Sequence, residues 1–148
     1  MSYAVLFAGQ ASQHAAMLPW LGCRPQAAPV LLTMARHTGT HWRSLLQDPA
    51  ERRNNAFAQC LITGTSLAAW QALQACLAQG PAVVAGYSVG ELAAYSAAGV
   101  FDAETALVLA AERARLMDLA AAKGPAGGLL SISGMTTAQV LNHFPALQ

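Results

Sequence analysis

The chain has 148 residues, which is enough for one domain with its own hydrophobic core. Its formal net charge is +1 and only 10% of its residues are charged, so the composition gives no basis for binding nucleic acid or an anionic membrane surface. No apolar run reaches the roughly 18 residues that a membrane span needs, and the amino terminus lacks the features of a signal peptide.

The first half of the chain is predicted to hold one strand and several helices. The apolar run over 3–7 predicts a strand that is buried on both faces, and the small polar residues over 10–13 predict a loop after it. Helical stretches follow, in chain order, over 15–21, 27–37, 42–46 and 56–78. The last of these ends before a Gly-Pro pair, which is typical of a helix terminus.

The second half alternates short apolar strands with helices. The predicted elements are strands over 82–85 and 129–133, and helices over 89–98, 103–123 and from 136 onward. Gly99 is the expected C′ glycine of the first of these helices, and Asp102 is the expected N-cap of the second. Thr136 and Gln139 form a capping-box pattern for the third.

This alternation of strands and helices implies an α/β fold with a parallel sheet. A Gly/Pro-rich break follows residue 124. It divides the chain into an α/β domain over 1–124 and the beginning of a second, smaller subdomain over 125–148.

Cysteine and charge content bear on the surroundings of the protein. Cys23, Cys60 and Cys76 are odd in number and are not spaced as metal ligands, so we expect reduced thiols, no metal site and a cytoplasmic location. Charged residues make up 10% of the chain against roughly 25% in an average soluble domain. We therefore expect part of the surface to be covered by further chain or by a partner chain.

The segment Gly86-Tyr87-Ser88-Val89-Gly90 matches the pattern G-x-S-x-G between a predicted strand and a predicted helix. A serine in so tight a turn presents its hydroxyl above the sheet, near the positive end of the following helix. Flanking glycines avoid the collisions that side chains would cause there. The same pattern also describes a turn with a capping serine, so the residues alone leave open whether Ser88 is a nucleophile or a cap.

Arg113 lies on the apolar face of the predicted helix over 103–123. At 100° per residue, the side chains that fall within about 60° of it include Ala106, Leu109, Ala110, Met117 and Ala120. An unpaired guanidinium on such a face would be costly. Its partner could be a substrate carboxylate bound through two hydrogen bonds, a structural salt bridge or loop carbonyls. Arg115 falls on the opposite side and is expected to be solvated.

Four segments match the motifs of one family in order and spacing. Residues 86–94 read GYSVGELAA, which is similar to GHSxGE-[YL]-AA, and residues 7–13 read FAGQASQ, which is similar to FPGQGSQ. Residues 59–61 and 65–70 read QCL and TSLAAW, similar to the QPA and TSxAxW parts of one helix, and residues 113–117 read RARLM, similar to RxxxM. The chain thus resembles the amino-terminal half of the malonyl-CoA:acyl carrier protein transacylase family of acyltransferases.

The resemblance implies an enzyme that moves a malonyl group from coenzyme A to the phosphopantetheine thiol of an acyl carrier protein. Ser88 would be the acylated nucleophile. The backbone N–H groups of Val89 and Gln10 would stabilise the oxyanion, each contributing about 3 kcal/mol to lowering the barrier. The implied reaction needs no cofactor, because the coenzyme A thioester is the substrate.

The same resemblance assigns residues to the substrate-binding site. Arg113 would bind the malonyl carboxylate, and Gln59 and Tyr87 would line the site. Tyr87 stands where the family most often has histidine, which bears on acyl specificity. Ala11 replaces a glycine of the first loop, and a positive φ there would cost alanine about 1 kcal/mol. Cys60 replaces a proline and is expected to be a buried, unreactive thiol.

The family fold implies a hydrolase-like core followed by a ferredoxin-like subdomain, of which 129–133 would be the first strand. The family's general base is a histidine in a GxFHS-type motif, which this chain does not contain. Removing the histidine from a serine-nucleophile unit can cost about a millionfold in turnover. We therefore expect the chain alone to be nearly inactive and to need a carboxy-terminal half or a partner chain.

Three alternatives to malonyl transfer to an acyl carrier protein stay open from the sequence. A malonyl-loading subunit of malonate decarboxylase would use the same site chemistry. A serine hydrolase or esterase would need the nucleophile but would not need Arg113. A non-catalytic fragment would only bind a carrier protein.

Overall fold

The computed structural model describes residues 2–11, 13–124 and 132–144. The strands are β1 (Ala4–Phe7) and β2 (Val83–Gly86), and the α-helices are α1 (Ala28–Thr38), α2 (Trp42–Leu45), α3 (Pro49–Arg53), α4 (Asn55–Gln74), α5 (Gly90–Ala97), α6 (Ala103–Lys123) and α7 (Thr137–His143). Two 3₁₀ helices, Pro19–Cys23 and Pro25–Ala27, precede α1. Most of the predicted strand over 129–133 and the start of the predicted second subdomain lie outside the described residues.

The two strands pair in parallel, with Ala4 opposite Val83 and Phe7 opposite Gly86. The connection between them carries α1 to α4, and α4 packs against α1, α5 and α6. A parallel pair joined through helices is the α/β arrangement that the alternation of elements predicts.

The strands are covered on one face only within the described residues. Phe7 is buried against the helices, whereas Leu6 is 76% exposed and Val83 is 56% exposed on the other face. The prediction that the strand over 3–7 is buried on both faces is therefore wrong for this part of the chain. An apolar run indicates that a strand avoids water, but it does not show which neighbouring element covers each face.

Helix α4 is the centre of the core, because it contacts helices on several sides. Its fully buried residues include Leu61, Leu67 and the polar Gln59. At Gly64 a Cβ atom would lie 2.5 Å from Cγ of Met34, so the glycine lets α1 pack closely onto α4. The helix ends at Gln74, short of the predicted end at 78.

Local capping signals place several helix ends where the sequence predicts them. The Asp102 carboxylate accepts a hydrogen bond from the Thr105 N–H at 2.7 Å at the start of α6. Thr136 and Gln139 form the predicted capping box of α7. Gly99 has φ +82°, as expected of a C′ glycine after α5.

The predictions between residues 15 and 55 are less accurate. No α-helix forms over 15–21, because Leu18 is left-handed (φ 45°) and Pro19 has no N–H to donate to a helical hydrogen bond. Helix α3 was not predicted. Its signal is Asp48, whose side chain accepts from the Ala50 N–H, followed by Pro49 at the first helical position.

Candidate active site

The turn between β2 and α5 presents Ser88 in a strained backbone conformation. Ser88 has φ +56°, which is uncommon for a residue with a side chain. A Cβ atom on Gly86 would lie 2.2 Å from the carbonyl group of Gly90, and one on Gly90 would lie 2.5 Å from the Phe7 oxygen. Both flanking glycines are therefore sterically required, and the predicted strand-turn-helix geometry is confirmed.

The Arg113 guanidinium connects helix α6 to this turn. Its Nη2 donates to Ser88 Oγ at 3.1 Å, and its Nη1 donates to Gln59 Oε1 at 2.7 Å. Within the described residues the ion pairs are Arg36–Glu104 and Arg115–Glu112, so no carboxylate there balances the charge of Arg113. The salt bridge and the loop carbonyls that periodicity left open are thus not its partners in this part of the chain.

Arg113 lies at the margin of the buried face of α6 rather than at its centre. Ala106 and Ala110 are buried as predicted, but Leu109 and Met117 are each 40% exposed. The predicted inward face is therefore only partly buried, because the described helices cover one side of α6. Arg115 is exposed as predicted, and its hydrogen bonds to Glu112 lower the pKa of that carboxyl.

Gln59 has its side chain fixed by a chain of hydrogen bonds. It is completely buried, and its Nε2 donates to Asn55 Oδ1 at 2.7 Å. Asn55 Nδ2 in turn donates to Asp118 Oδ1 at 3.0 Å. Since Nε2 is held by Asn55, the amide presents Oε1 to Arg113.

Sequence reasoning missed Asn55 and Asp118 as parts of this network. The spacing of Asn55 and Gln59, four residues apart on one helix, is a usable signal for a contact between their side chains. Nothing local to Asp118 indicates that it would meet α4.

The loop after β1 packs directly against the serine turn. A Cβ atom on Gly9 would lie 2.8 Å from Cδ1 of Tyr87 and 3.5 Å from Cβ of Ser88. Ala11 has φ +83°, so alanine occupies a conformation that favours glycine. Within the described residues, the backbone N–H groups of Gln10 and Val89 donate no hydrogen bond. Both amides are available to an acceptor.

An open groove of about 920 Å³ leads to Ser88. It is lined by residues of the first loop, α3, α4, the serine turn and α6: Gln10, Ala11, Gln13, Pro49, Arg52, Arg53, Asn55, Tyr87, Ser88 and Met117. Tyr87 is 77% exposed, which places its ring at the surface of the groove rather than in a closed pocket. The structure thus brings Gln10, Tyr87 and Ser88 together along one surface.

The three cysteines are not among the residues that line the groove. Burial raises the pKa of the Cys60 thiol to about 11, which agrees with the expected buried, unreactive cysteine. Cys23 and Cys76 are exposed free thiols. In the described ranges there is no group of His, Cys, Asp and Glu that could hold a metal ion, and no helix there is long and apolar enough to cross a membrane.

Several curated proteins that are similar to this chain carry the same name. The malonyl CoA-acyl carrier protein transacylase of Mycobacterium bovis is 37% identical in an alignment of 149 positions, which covers 97% of this chain and 49% of that protein. The protein of the same name from Salmonella typhimurium is 30% identical, over 93% of this chain and 45% of its own length. No protein-family model matches the chain.

Solved structures agree with the sequence relatives. The malonyl transacylase (MCAT) of Mycobacterium tuberculosis superposes with a TM-score of 0.76 at 34% identity, over 99% of this chain and 50% of that one. A malonyl-transacylase solved in complex with a type II polyketide synthase acyl-carrier protein has a TM-score of 0.71 at 26% identity, over 81% of this chain and 40% of that one.

The chain spans about half the length of the curated relatives that it matches. In both sequence and fold, it is homologous to the malonyl CoA-acyl carrier protein transacylases, the family that its motifs predict.

Proposed function

We propose that this chain carries the nucleophile and the carboxylate-binding residue of an enzyme that transfers malonyl groups from coenzyme A to an acyl carrier protein. The observation that carries the proposal is the 3.1 Å contact between Ser88 Oγ and Arg113 Nη2. In a malonyl thioester, a single methylene group separates the carboxylate from the reacting carbonyl. A site for this substrate therefore needs its cation close to its nucleophile.

The charge balance around Arg113 supports the same substrate. Its contacts within the described residues are the neutral Gln59 amide and the neutral Ser88 hydroxyl. No described residue supplies a counter-ion to this half-buried guanidinium, so it favours an incoming carboxylate, which can accept two hydrogen bonds from it. A neutral ester offers no such partner, and the similar proteins are transacylases, so the esterase alternative is not favoured.

The proposed reaction has two steps. The Ser88 oxygen attacks the thioester carbonyl, an O–C bond forms, the C–S bond breaks, and the hydroxyl proton goes through a general base to the coenzyme A thiol. The pantetheine thiol of the carrier protein then gives its proton to the general base and attacks the ester carbonyl, a new C–S bond forms, the bond between the Ser88 oxygen and the acyl carbon breaks, and the base returns the proton to Ser88. The free N–H groups of Gln10 and Val89 are the proposed donors to the oxyanion of both steps.

The remaining roles follow from position along the groove. Gln59 orients the Arg113 guanidinium, and Tyr87 contributes to the wall next to the acyl group. No imidazole hydrogen-bonds to Ser88 within the described residues, so the general base is proposed to come from further polypeptide. The cysteines of this chain are free thiols, and on this basis the cytoplasm is the proposed location.

Chemical rescue tests the proposal without that further polypeptide. We expect malonyl-CoA alone to label the chain slowly, and added imidazole, acting as an external base, to accelerate the formation of a malonyl ester on Ser88. Mass spectrometry of the intact chain and of its peptides measures both. Arg113→Ala should abolish the preference for malonyl-CoA over acetyl-CoA, whereas Arg115→Ala is the matched control on the same helix.

Two results would contradict the proposal. Labelling at a residue other than Ser88 would exclude the nucleophile. Equal labelling by acetyl-CoA and malonyl-CoA in the unmodified chain would exclude Arg113 as the selecting group. Transfer of the malonyl group to the carrier of a malonate decarboxylase, but not to a fatty-acid or polyketide carrier, would support the decarboxylase alternative. Carrier binding without any ester on Ser88 would support the non-catalytic one.

A further inference from the structure

Two arginines at the end of one short helix line the groove that leads to Ser88. Arg52 and Arg53 are the last residues of α3, and both contribute to the groove wall. Neither position belongs to the four motifs that relate the chain to its family.

The guanidinium groups of these arginines make few hydrogen bonds within the described residues. The half-buried Arg52 side chain makes no hydrogen bond within the described residues, and Arg53 uses only its Nε, which donates to the Pro49 carbonyl at 2.9 Å. Other cations have partners: Arg43 donates to the Met17 and Leu18 carbonyls, and Arg115 pairs with Glu112. Arg52 and Arg53 are thus available to an anion.

The charge of the groove has one sign. No aspartate or glutamate is among its described lining residues. The nearest acids in sequence are Asp48, whose carboxylate accepts the Ala50 N–H, and Glu51, which does not line the groove. The groove therefore presents positive charge along α3, and a further uncompensated cation, Arg113, contacts Ser88 at its end.

The wall that carries Arg52 is tied to the loop that carries Gln10. The Gln13 Nε2 donates to the Arg52 carbonyl at 2.9 Å, and the Gln13 Oε1 accepts from the Ala11 N–H at 2.8 Å. A ligand that lies along this wall would therefore run beside the first loop towards the serine.

We infer that Arg52 and Arg53 bind the phosphate group at the end of the pantetheine arm while its thioester reaches Ser88. This inference rests on the proposed function, because it takes the acyl group to be carried by pantetheine. Coenzyme A and a loaded carrier protein share that phosphate, and guanidinium groups bind phosphate oxygens through paired, charge-assisted hydrogen bonds. One basic wall would then serve both the donor and the acceptor of the malonyl group.

Calorimetric binding of four ligands to the full chain tests the inference. We expect coenzyme A, dephospho-coenzyme A and 4′-phosphopantetheine to bind more tightly than pantetheine, which lacks the phosphate. In the variant Arg52→Gln/Arg53→Gln this advantage should fall by about tenfold or more, the loss expected for one charge-assisted hydrogen bond. Arg24→Gln, an exposed arginine outside the groove, is the matched control and should keep the full advantage.

Three results would overturn the inference. Equal binding of pantetheine and 4′-phosphopantetheine, or an undiminished advantage in the double variant, would overturn the inference. A loss of affinity on going from coenzyme A to dephospho-coenzyme A that depends on the two arginines would also overturn it, since it would assign them to the 3′-phosphate. The Ser88 ester in the unmodified chain is measured separately, so a failure of the proposed function is distinguishable from a failure of this site.

Discussion

The Arg113 guanidinium donates from Nη1 to Oε1 of the completely buried Gln59 at 2.7 Å. This bond leaves Nη2 aligned with the Ser88 hydroxyl. Because Gln59 is neutral, it orients the guanidinium without cancelling its charge. A carboxylate at the same position would orient it equally well but would compete with an anionic substrate.

Substitution of Gln59 should therefore separate orientation from charge. Gln59→Leu removes a hydrogen bond to a charged group worth about 1.5–3 kcal/mol, so we expect the preference for malonyl-CoA over acetyl-CoA to fall about tenfold or more. Gln59→Glu should abolish this preference by neutralising Arg113. The ratio of malonyl to acetyl ester on Ser88, in the presence of imidazole, measures both. Gln71→Leu, on the exposed side of the same helix, should leave the ratio unchanged.

Replacement of Ala11 by glycine should stabilise the fold. A φ of +83° costs an alanine about 1–2 kcal/mol. Glycine avoids this cost, but the protein gains only part of it in stability because glycine loses more conformational entropy on folding. We expect Ala11→Gly to raise the free energy of unfolding in urea by up to about 1 kcal/mol. Ala8→Gly, in the same loop without a positive φ, should lower it. A lower stability for Ala11→Gly would show that the loop does not hold this conformation in solution.

A side chain at Gly86 should disrupt the serine turn. Its Cβ would lie 2.2 Å from backbone atoms of Gly90, which cannot rotate away as a side chain could. We expect Gly86→Ala to destabilise the fold by about 2 kcal/mol or more and to reduce labelling of Ser88. Gly80→Ala is the matched control, because no atom lies within 4 Å of the added methyl group. Similar melting temperatures for both variants would contradict the geometry of the turn.

The Asp102 cap should make stability depend on pH. The hydrogen bond from the Thr105 N–H lowers the pKa of the Asp102 carboxyl below its unfolded value. Its stabilising contribution is therefore complete at neutral pH and is lost as the pH falls through the folded-state pKa. Urea unfolding of the protein and of Asp102→Asn, from pH 7 to about pH 3, should show a smaller pH dependence in the variant, which keeps an uncharged acceptor. If the free energy of unfolding depends on pH equally in both proteins, the proposed effect of the cap is wrong.

The sequence predicted most accurately what depends on near neighbours. The caps at Asp102 and Thr136 each involve residues within four positions of each other, so local chemistry determines them. The prediction of a helix over 15–21 was wrong although the contrary signal, Pro19, is also local. The prediction followed the apolar pattern and gave too little weight to this proline.

What could not be predicted depends on contacts between distant segments. The hydrogen bond from Asn55 to Asp118 joins two helices, and no pattern within either helix contains the other. The exposed face of the strands is a similar case, because the apolar character of Leu6 and Val83 does not reveal that no described element packs against them. The groove wall at Arg52 follows from the unpredicted helix α3.

The parallel register also has a consequence for folding. Ala4 pairs with Val83, so the strands cannot form from a local hairpin and must wait until the helices between them have brought these two distant segments together. Since the turn at Gly90 rests on the carbonyl of Phe7, the reactive geometry of Ser88 is expected to appear only after this late, long-range pairing. Labelling of the serine during refolding would therefore report completion of folding, whereas far-ultraviolet circular dichroism would report the earlier formation of helices.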